Sequence, residues 1–363
     1  MPIRVLVVDD SLFTRKVLCD LIDEEPGMEV VGTASDGVEA CERVVELEPD
    51  VVIMDVEMPR MDGLAALRRI MRLRPTPVVM FSALTRKGAE VTLEALSSGA
   101  VDFVAKPYGK IMVDLSEIRE ELLRKIRSAA VANLRMVTRR PIQARRVSKV
   151  RAPYTGRPLV AVAIGASTGG PSAVAEVLSR FPEDLPAAVF LTQHMPPFFT
   201  RVFASNLDKR TEVRVKEAVD GEPAFAGTVY VAPGDYHMLV VRRRGRIVIE
   251  LDRGPKVNNV RPSADPMMMS VAKVFGSCTV GILLTGMGRD GADGMTAIKA
   301  VGGFTIAQDR DTCVVFGMPK AAIEAGVVDK VLPLDKIGDE AVNVARLKYL
   351  AARRWVSSGR SLR

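Results

Sequence analysis

The chain is 363 residues long, 48% apolar and 26% charged, with a net charge of +7, which is enough chain for two domains that each bury a core. No uninterrupted apolar run is long enough to cross a bilayer, so a helical membrane protein is excluded. Residues 124–157 hold eleven Lys/Arg and no Asp/Glu, so the rest is net acidic and the basic excess belongs to a connector, not to a nucleic-acid surface.

The opening MPIRVLVVDD enters an apolar strand directly, without the apolar stretch and cleavage site of a secretory signal. The four cysteines, Cys19, Cys41, Cys278 and Cys313, form no CxxC pair. Both features suit a cytoplasmic protein whose reduced thiols serve packing.

From residue 3 to about 130 the apolar runs IRVLVV, MEVVG, VVIM, TPVVMF and DFVAK alternate with amphipathic stretches. This spacing predicts βαβ units: an α/β domain over 1–130, with a doubly wound parallel sheet of five strands and five helices. The last helix, near 114–130, places Leu115, Ile118, Leu122 and Ile126 three and four apart as one stripe. Residues 131–157 mix Arg, Pro and Ser without sustained periodicity and are expected as a basic linker.

A second alternation, LVAVAIG, AAVFLT, TVYVA, MLVV, IVIEL, TVGILLT and FTIAQ, predicts another doubly wound α/β domain over 158–350, with a mostly parallel sheet. Helices are expected near 171–180, 197–209, 264–275 and 291–300. The close runs between 213 and 251 are expected as antiparallel hairpins, with RRRG at 242–245 as a turn, and 351–363 as a basic tail.

Functional groups of doubly wound sheets gather at the C-terminal ends of strands. Asp9 and Asp10 end the first run, Asp55 ends VVIMD, Ser82 follows VVMF, and Lys106 precedes Pro107. Clustered carboxylates repel unless a hard cation such as Mg²⁺ sits among them, so Asp9, Asp10 and Asp55 are the expected metal ligands. Asp55 is then the candidate nucleophile for an aspartyl-phosphate, with Ser82 and Lys106 on the phosphoryl oxygens. One such aspartate alone is as often a turn former or helix cap; the combination carries the reading. Together with DVEMPRMDG around the central acid, it resembles response-regulator receiver domains over its full length. The resemblance implies a flavodoxin-like fold and puts Phe103 at the family's aromatic switch position, where many members carry tyrosine.

After VAVAIG, the stretch Gly165-Ala166-Ser167-Thr168-Gly169-Gly170 fits G-x-S-x-G between a strand and a helix, a turn that exposes a serine at a helix N-terminus. A phosphate loop fails because no Lys-Ser/Thr follows. A serine nucleophile needs a base, and the chain has only two histidines. His194 ends VFLTQ at the same sheet edge as Ser167 and is the preferred base. His237, at the start of a hairpin strand, is expected to be structural and is the fallback. Asp290, after VGILLTG, is the expected orienting carboxylate, in a loop whose backbone N–H groups can line an oxyanion hole; Asp293 and Asp265 are weaker alternatives.

Gly286-x-Gly288-x-x-Gly291, with Asp309 about twenty residues on, also fits a dinucleotide fingerprint. Too little chain follows for the second mononucleotide half, and the Ser167 turn would go unexplained. A receiver joined to a DNA-binding domain is the other class of reading, and strand alternation in place of a compact three-helix unit argues against it.

The order receiver, basic linker, IGASTGGP, QHMPP, APGDYHM, RPSAD and TGMGRDGADGM resembles the chemotaxis response-regulator protein-glutamate methylesterase family across essentially the whole chain. The resemblance implies Ser167 as nucleophile, His194 as base and Asp290 as orienting acid, with the Met287 N–H in the oxyanion hole and Thr168 helping to place the histidine. It implies hydrolysis of methylated glutamates, and deamidation of glutamines, on methyl-accepting chemotaxis receptors. It further implies an esterase that needs no cofactor and a chemotaxis histidine kinase as phosphoryl donor, with Mg²⁺ expected in the receiver. The expected control has the unphosphorylated receiver covering the Ser167 cleft and phosphorylation of Asp55 releasing it, the linker acting as a tether.

Overall fold

The computed structural model describes residues 1–106, 115–137 and 159–357. They fall into two compact units, Met1–Arg140 and Pro141–Arg363.

The first unit alternates β1 (Ile3–Val8), α1 (Leu12–Asp23), β2 (Met28–Ala34), α2 (Gly37–Leu47), β3 (Val51–Asp55), α3 (Gly63–Leu73), β4 (Val78–Ala83), α4 (Arg86–Ser97), β5 (Asp102–Lys106), α5 (Leu115–Ala130) and a single turn, α6 (Leu134–Val137). The five strands pair in the order β2-β1-β3-β4-β5, every pair parallel. Central β3 reads VVIMD and is buried along its whole length, as a strand covered on both faces requires. Helix starts are fixed locally: Asp36, Asp62 and Thr85 each accept a hydrogen bond from first-turn backbone N–H groups, which satisfies donors the helix itself leaves unpaired. On α5, Leu122 and Ile126 are fully buried and Ile118 is half-buried.

The second unit runs β6 (Val160–Ala166), α7 (Gly170–Leu178), β7 (Ala187–Gln193), α8 (Phe199–Arg210), β8 (Arg214–Glu217), β9 (Thr228–Val231), β10 (His237–Arg243), β11 (Arg246–Asp252), α9 (Ala264–Phe275), β12 (Thr279–Leu283), α10 (Ala292–Ala300), β13 (Phe304–Gln308), α11 (Met318–Glu324), β14 (Lys330–Leu332) and α12 (Leu334–Ser357). Seven strands form one parallel sheet, ordered β14-β13-β12-β6-β7-β9-β8. The chain builds outward from β6 in one direction and returns through β12 to build in the other, so the topological switch lies between β6 and β12. β10 and β11 form a separate antiparallel pair. Its inward residues Met238, Val240, Ile247 and Ile249 join Met267, Met268 and Val271 of α9 and Phe190 and Tyr230 of the sheet in one core. Each buried aliphatic side chain there contributes about 1.5–3 kcal/mol.

The hairpin expectation holds for β10–β11, which turn at Arg244 and Gly245, both at positive φ. β8 and β9 instead pair in parallel, because the residues between them carry the chain back across. The edge strands β8 and β14 are absent from the expected runs. So is α12, which extends through residues 351–357 of the expected tail, and α6 lies in the expected linker. Residues 138–157 of that linker and the tail beyond Ser357 lie outside the described residues. All four cysteines are free thiols. No helix among the described residues is long and apolar enough to cross a membrane.

Candidate active site

In the first unit β1 and β3 are neighbours where the strand order reverses. Asp9 just beyond β1 and Asp55 at the end of β3 therefore meet, and with Asp10 their carboxylate oxygens lie within 4.8 Å of one another. Asp9 and Asp55 are buried and Asp10 is exposed. Lys106, at the end of β5, donates to Asp9 Oδ2 (2.9 Å) and Asp55 Oδ2 (2.8 Å). Burial pushes the Asp55 carboxyl up to about 6; Lys106 opposes the shift and the charge of Asp9 adds to it. Burial also works against the Lys106 charge, but Asp55 and Asp9 outweigh it and the ammonium is held above its ordinary value. Ser82, on intervening β4, is buried and donates to the Gly88 carbonyl (3.4 Å). Phe103 is buried in the core, with Lys125 Nζ 4.7 Å from its ring centroid. An all-oxygen donor set of this kind fits a hard divalent cation.

In the second unit three adjacent strand ends, those of β12, β6 and β7, bring the candidate residues together. Ser167 follows β6, where its N–H donates to the Thr285 carbonyl (3.0 Å) and its own carbonyl accepts from Gly170 N (2.7 Å). Gly169 turns the chain into α7 at φ +75°, a conformation open to glycine at little cost. From the β12 side, Gly286 closes on the serine: a Cβ there would lie 2.7 Å from Ser167 Cβ and 2.3 Å from Met318 Sδ. Met287, half-buried, follows it. Thr168 is buried, and its carbonyl accepts from Thr285 Oγ1 (3.0 Å), tying the serine turn to the loop after β12.

His194 follows β7. Gln193 Nε2 donates to the carbonyls of Ser167 (2.9 Å) and His194 (3.4 Å), so one amide ties the two strand ends together. The imidazole Nε2 lies 2.7 Å from Asp290 Oδ2. Its Nδ1 is buried with no hydrogen-bond partner among the described residues.

Asp290 is buried and accepts from four further donors: Ser263 Oγ, Ala264 N (2.7 Å), Asn258 Nδ2 (2.9 Å) and, more weakly, Asp265 N (3.4 Å). Two of them are backbone N–H groups at the start of α9, where the helix field favours an anion. Burial alone would raise this carboxyl, but the hydrogen bond and charge of His194, with Ser263 and Ala264, hold it well below the usual carboxylate range. An ionised Asp290 takes the Nε2–H, which leaves the neutral imidazole's lone pair on Nδ1. The familiar triad uses the two nitrogens the other way round.

The weaker alternatives have other partners. Asp293 pairs with Arg289 at the surface (3.0 Å). Asp265 is buried beside Asp290, accepting from Gly294 N (2.7 Å) and Asn258 Nδ2 (2.8 Å); burial and the Asp290 charge push it up to about 6. His237 uses both ring nitrogens in packing: Nδ1 accepts from Ser263 N (3.2 Å) and Nε2 meets the Pro255 carbonyl (3.0 Å). Asp309, the acid of the dinucleotide pattern, accepts from Thr312 N (3.0 Å) and Oγ1 (2.5 Å) within its own turn. Gln193, Asn258 and Ser263 were not singled out in the sequence, and Asp265 was named there only as an alternative orienting acid. The motif RPSAD held two of them, but nothing in its spacing says that a helix start faces another strand's aspartate.

Comparison with known proteins follows the same division. Residues 162–341 match the family model for CheB methylesterase, and residues 5–115 that for the response regulator receiver domain. The chain is 52% identical over 346 residues to the protein-glutamate methylesterase/protein-glutamine glutaminase of Pyrococcus horikoshii, covering 95% of this chain and 94% of that one. It is 46% identical over 342 residues to the protein of the same name from Thermotoga maritima, covering 94% and 98%. The crystal structure of the Thermotoga maritima CheB methylesterase catalytic domain aligns with a TM-score of 0.50 at 44% identity, over 51% of this chain and 98% of that one.

Proposed function

The chain belongs to the CheB methylesterase family, with a response regulator receiver domain ahead of the catalytic unit, and from that membership we propose that Ser167, His194 and Asp290 carry its hydrolytic chemistry. The enzyme is a protein-glutamate methylesterase and protein-glutamine glutaminase. It removes methyl esters from receptor glutamates, and deamidates receptor glutamines, in chemotactic adaptation under phosphorylation control.

The observation that carries the residue assignment is the His194–Asp290 contact at 2.7 Å together with a buried imidazole Nδ1 that has no partner among the described residues. Ser167 Oγ attacks the γ-carbonyl carbon of the ester while its proton moves to Nδ1. The imidazolium charge is met by Asp290 through Nε2–H. The oxyanion takes the Met287 N–H, at the loop that Gly286 brings against the serine. Collapse breaks the bond to the methoxy oxygen, which receives the Nδ1 proton and leaves as methanol; a glutamine loses ammonia by the same step. Water, deprotonated by Nδ1, then attacks the glutamyl-serine ester, restoring Ser167 and releasing the carboxylate.

In the receiver, Asp55 is the phosphoryl acceptor, Lys106 and Ser82 contact the phosphoryl oxygens, and Phe103 is the switch residue. Asp9, Asp10 and Asp55 would hold Mg²⁺, which neutralises the carboxylates and the incoming group. The donor is a chemotaxis histidine kinase, and the substrates are methyl-accepting receptors reached from the cytoplasm. Methanol release from methylated receptor membranes tests the whole reading. Wild type should release it, faster with a small-molecule phosphoryl donor and Mg²⁺, and Ser167→Ala should not; release by Ser167→Ala at the wild-type rate would overturn the nucleophile assignment.

A further inference from the structure

Two buried carboxylates, Asp290 and Asp265, share one side chain. Asn258 Nδ2 donates to Asp290 Oδ1 at 2.9 Å and to Asp265 Oδ2 at 2.8 Å, spending both amide protons on the pair. The remaining donors divide in the same way. Asp290 Oδ1 also accepts from Ser263 Oγ, Oδ2 from His194 and Ala264 N, and Asp265 Oδ1 from Gly294 N at the start of α10. Without the amide, two like charges would face each other in a buried site with nothing between them, an unfavourable arrangement.

The segment that delivers Asn258 is built for placement. Val257 and Val260 exchange backbone hydrogen bonds (3.2 and 3.0 Å) around a two-residue turn in which Asn258 and Asn259 both stand at positive φ, +53° and +60°, a region asparagine tolerates better than most residues. Arg261 clasps the preceding chain through the Arg253 and Gly254 carbonyls (3.1 and 2.7 Å) and Asp235 (3.0 Å to its Nε). His237 holds the Pro255 carbonyl. Asn258 is itself exposed, while its amide reaches inward.

We propose that Asn258 is a positioning residue of the hydrolase, its carboxamide clamping Asp290 to Asp265 so that the acceptor of His194 Nε2–H keeps one orientation. The inference rests on the assignment of Ser167, His194 and Asp290 above. In the full chain, Asn258→Ala should lower kcat for methanol release by about tenfold or more, as expected when a reacting group loses its alignment, with KM changed less than about twofold. The downfield Nε2 proton of His194, one of only two histidines, should shift or broaden in proton NMR. Asn259→Ala makes the same backbone change without touching a carboxylate, so it should leave both readouts at wild type and reports the cost of the turn alone. Asn258→Ala matching Asn259→Ala in kcat and in the His194 signal would overturn the proposal. If Ser167→Ala still abolished release in that case, the hydrolase reading would stand without it.

Discussion

Asp290 meets His194 at Nε2, 2.7 Å from Oδ2, which leaves Nδ1 as the imidazole nitrogen open to the proposed role of base. Neither residue is near the other in sequence; they meet because β12 and β7 flank β6, whose end carries Ser167.

Asp290→Asn keeps the shape and reverses the logic. An amide nitrogen facing Nε2 would drive the ring proton onto Nδ1, the atom that must be free to take the serine proton. A kcat loss of about 10⁴-fold is expected, the scale of a triad held in the wrong tautomer, with thermal unfolding showing a folded protein. Activity within tenfold of wild type would mean that the tautomer is set elsewhere.

Gly286→Ala tests how closely the loop after β12 must approach. The new methyl would lie 2.7 Å from Ser167 Cβ and 2.3 Å from Met318 Sδ, so the serine turn or the loop has to move. Overpacking of this kind costs about 1–3 kcal/mol, and a displaced nucleophile costs about 10²-fold in rate. Differential scanning calorimetry and methanol release should both register the change; a variant unchanged in both would show that the loop yields without moving Ser167.

The strand ends were legible because a parallel strand buried on both faces is a bare apolar run, and the residue closing it stands at the functional edge: Asp9, Asp55, Ser167 and His194 all follow such runs. What lay off those runs was not legible. β8 and β14 are short edge strands, RVKE and KVL, too polar to stand out. α12 buries Ile337, Ala341, Ala345 and Ala352, a face built largely of alanine beneath a charged surface. Asn258 and Ser263 reach Asp290 from loops whose path depends on tertiary contacts. The choice between the two nitrogens of His194 is a matter of angle that no spacing encodes.

Binding of Mg²⁺ to the receiver should depend on pH in a direction fixed by Asp55. Its carboxyl is raised by burial to about 6, so below that pH the folded receiver holds it protonated, and a cation must displace the proton to bind. Affinity measured by calorimetry should fall by up to about tenfold per pH unit below 6, with proton release on binding, and level off above pH 7. The same sign applies to folding. A carboxyl raised above its unfolded value opposes stability as pH rises from the unfolded value to about 6, and Mg²⁺ should relieve that penalty. An affinity flat from pH 5 to 7 would place the proton on another group.

The two histidines should part ways when each is removed. His194→Ala takes away the proposed base, and kcat should fall by about 10⁴-fold. The buried Asp290 loses its imidazole partner but keeps Ser263, Ala264 and Asn258 as donors, so the unfolding temperature should fall less than in His237→Ala. His237→Ala leaves the Ser263 N–H and the Pro255 carbonyl without their ring partners, at about 1–3 kcal/mol for each group left unsatisfied. Its unfolding temperature should drop by several degrees, on the scale of about 2–4 °C per kcal/mol for a unit of this size. Its turnover should fall by only about tenfold, through a displaced Ser263. The opposite pattern, a stable His237→Ala without activity and an unstable but active His194→Ala, would exchange their roles. Ser263 couples the two sites: its N–H rests on His237 and its hydroxyl on Asp290, so a packing histidine still bears on the carboxylate proposed to orient His194.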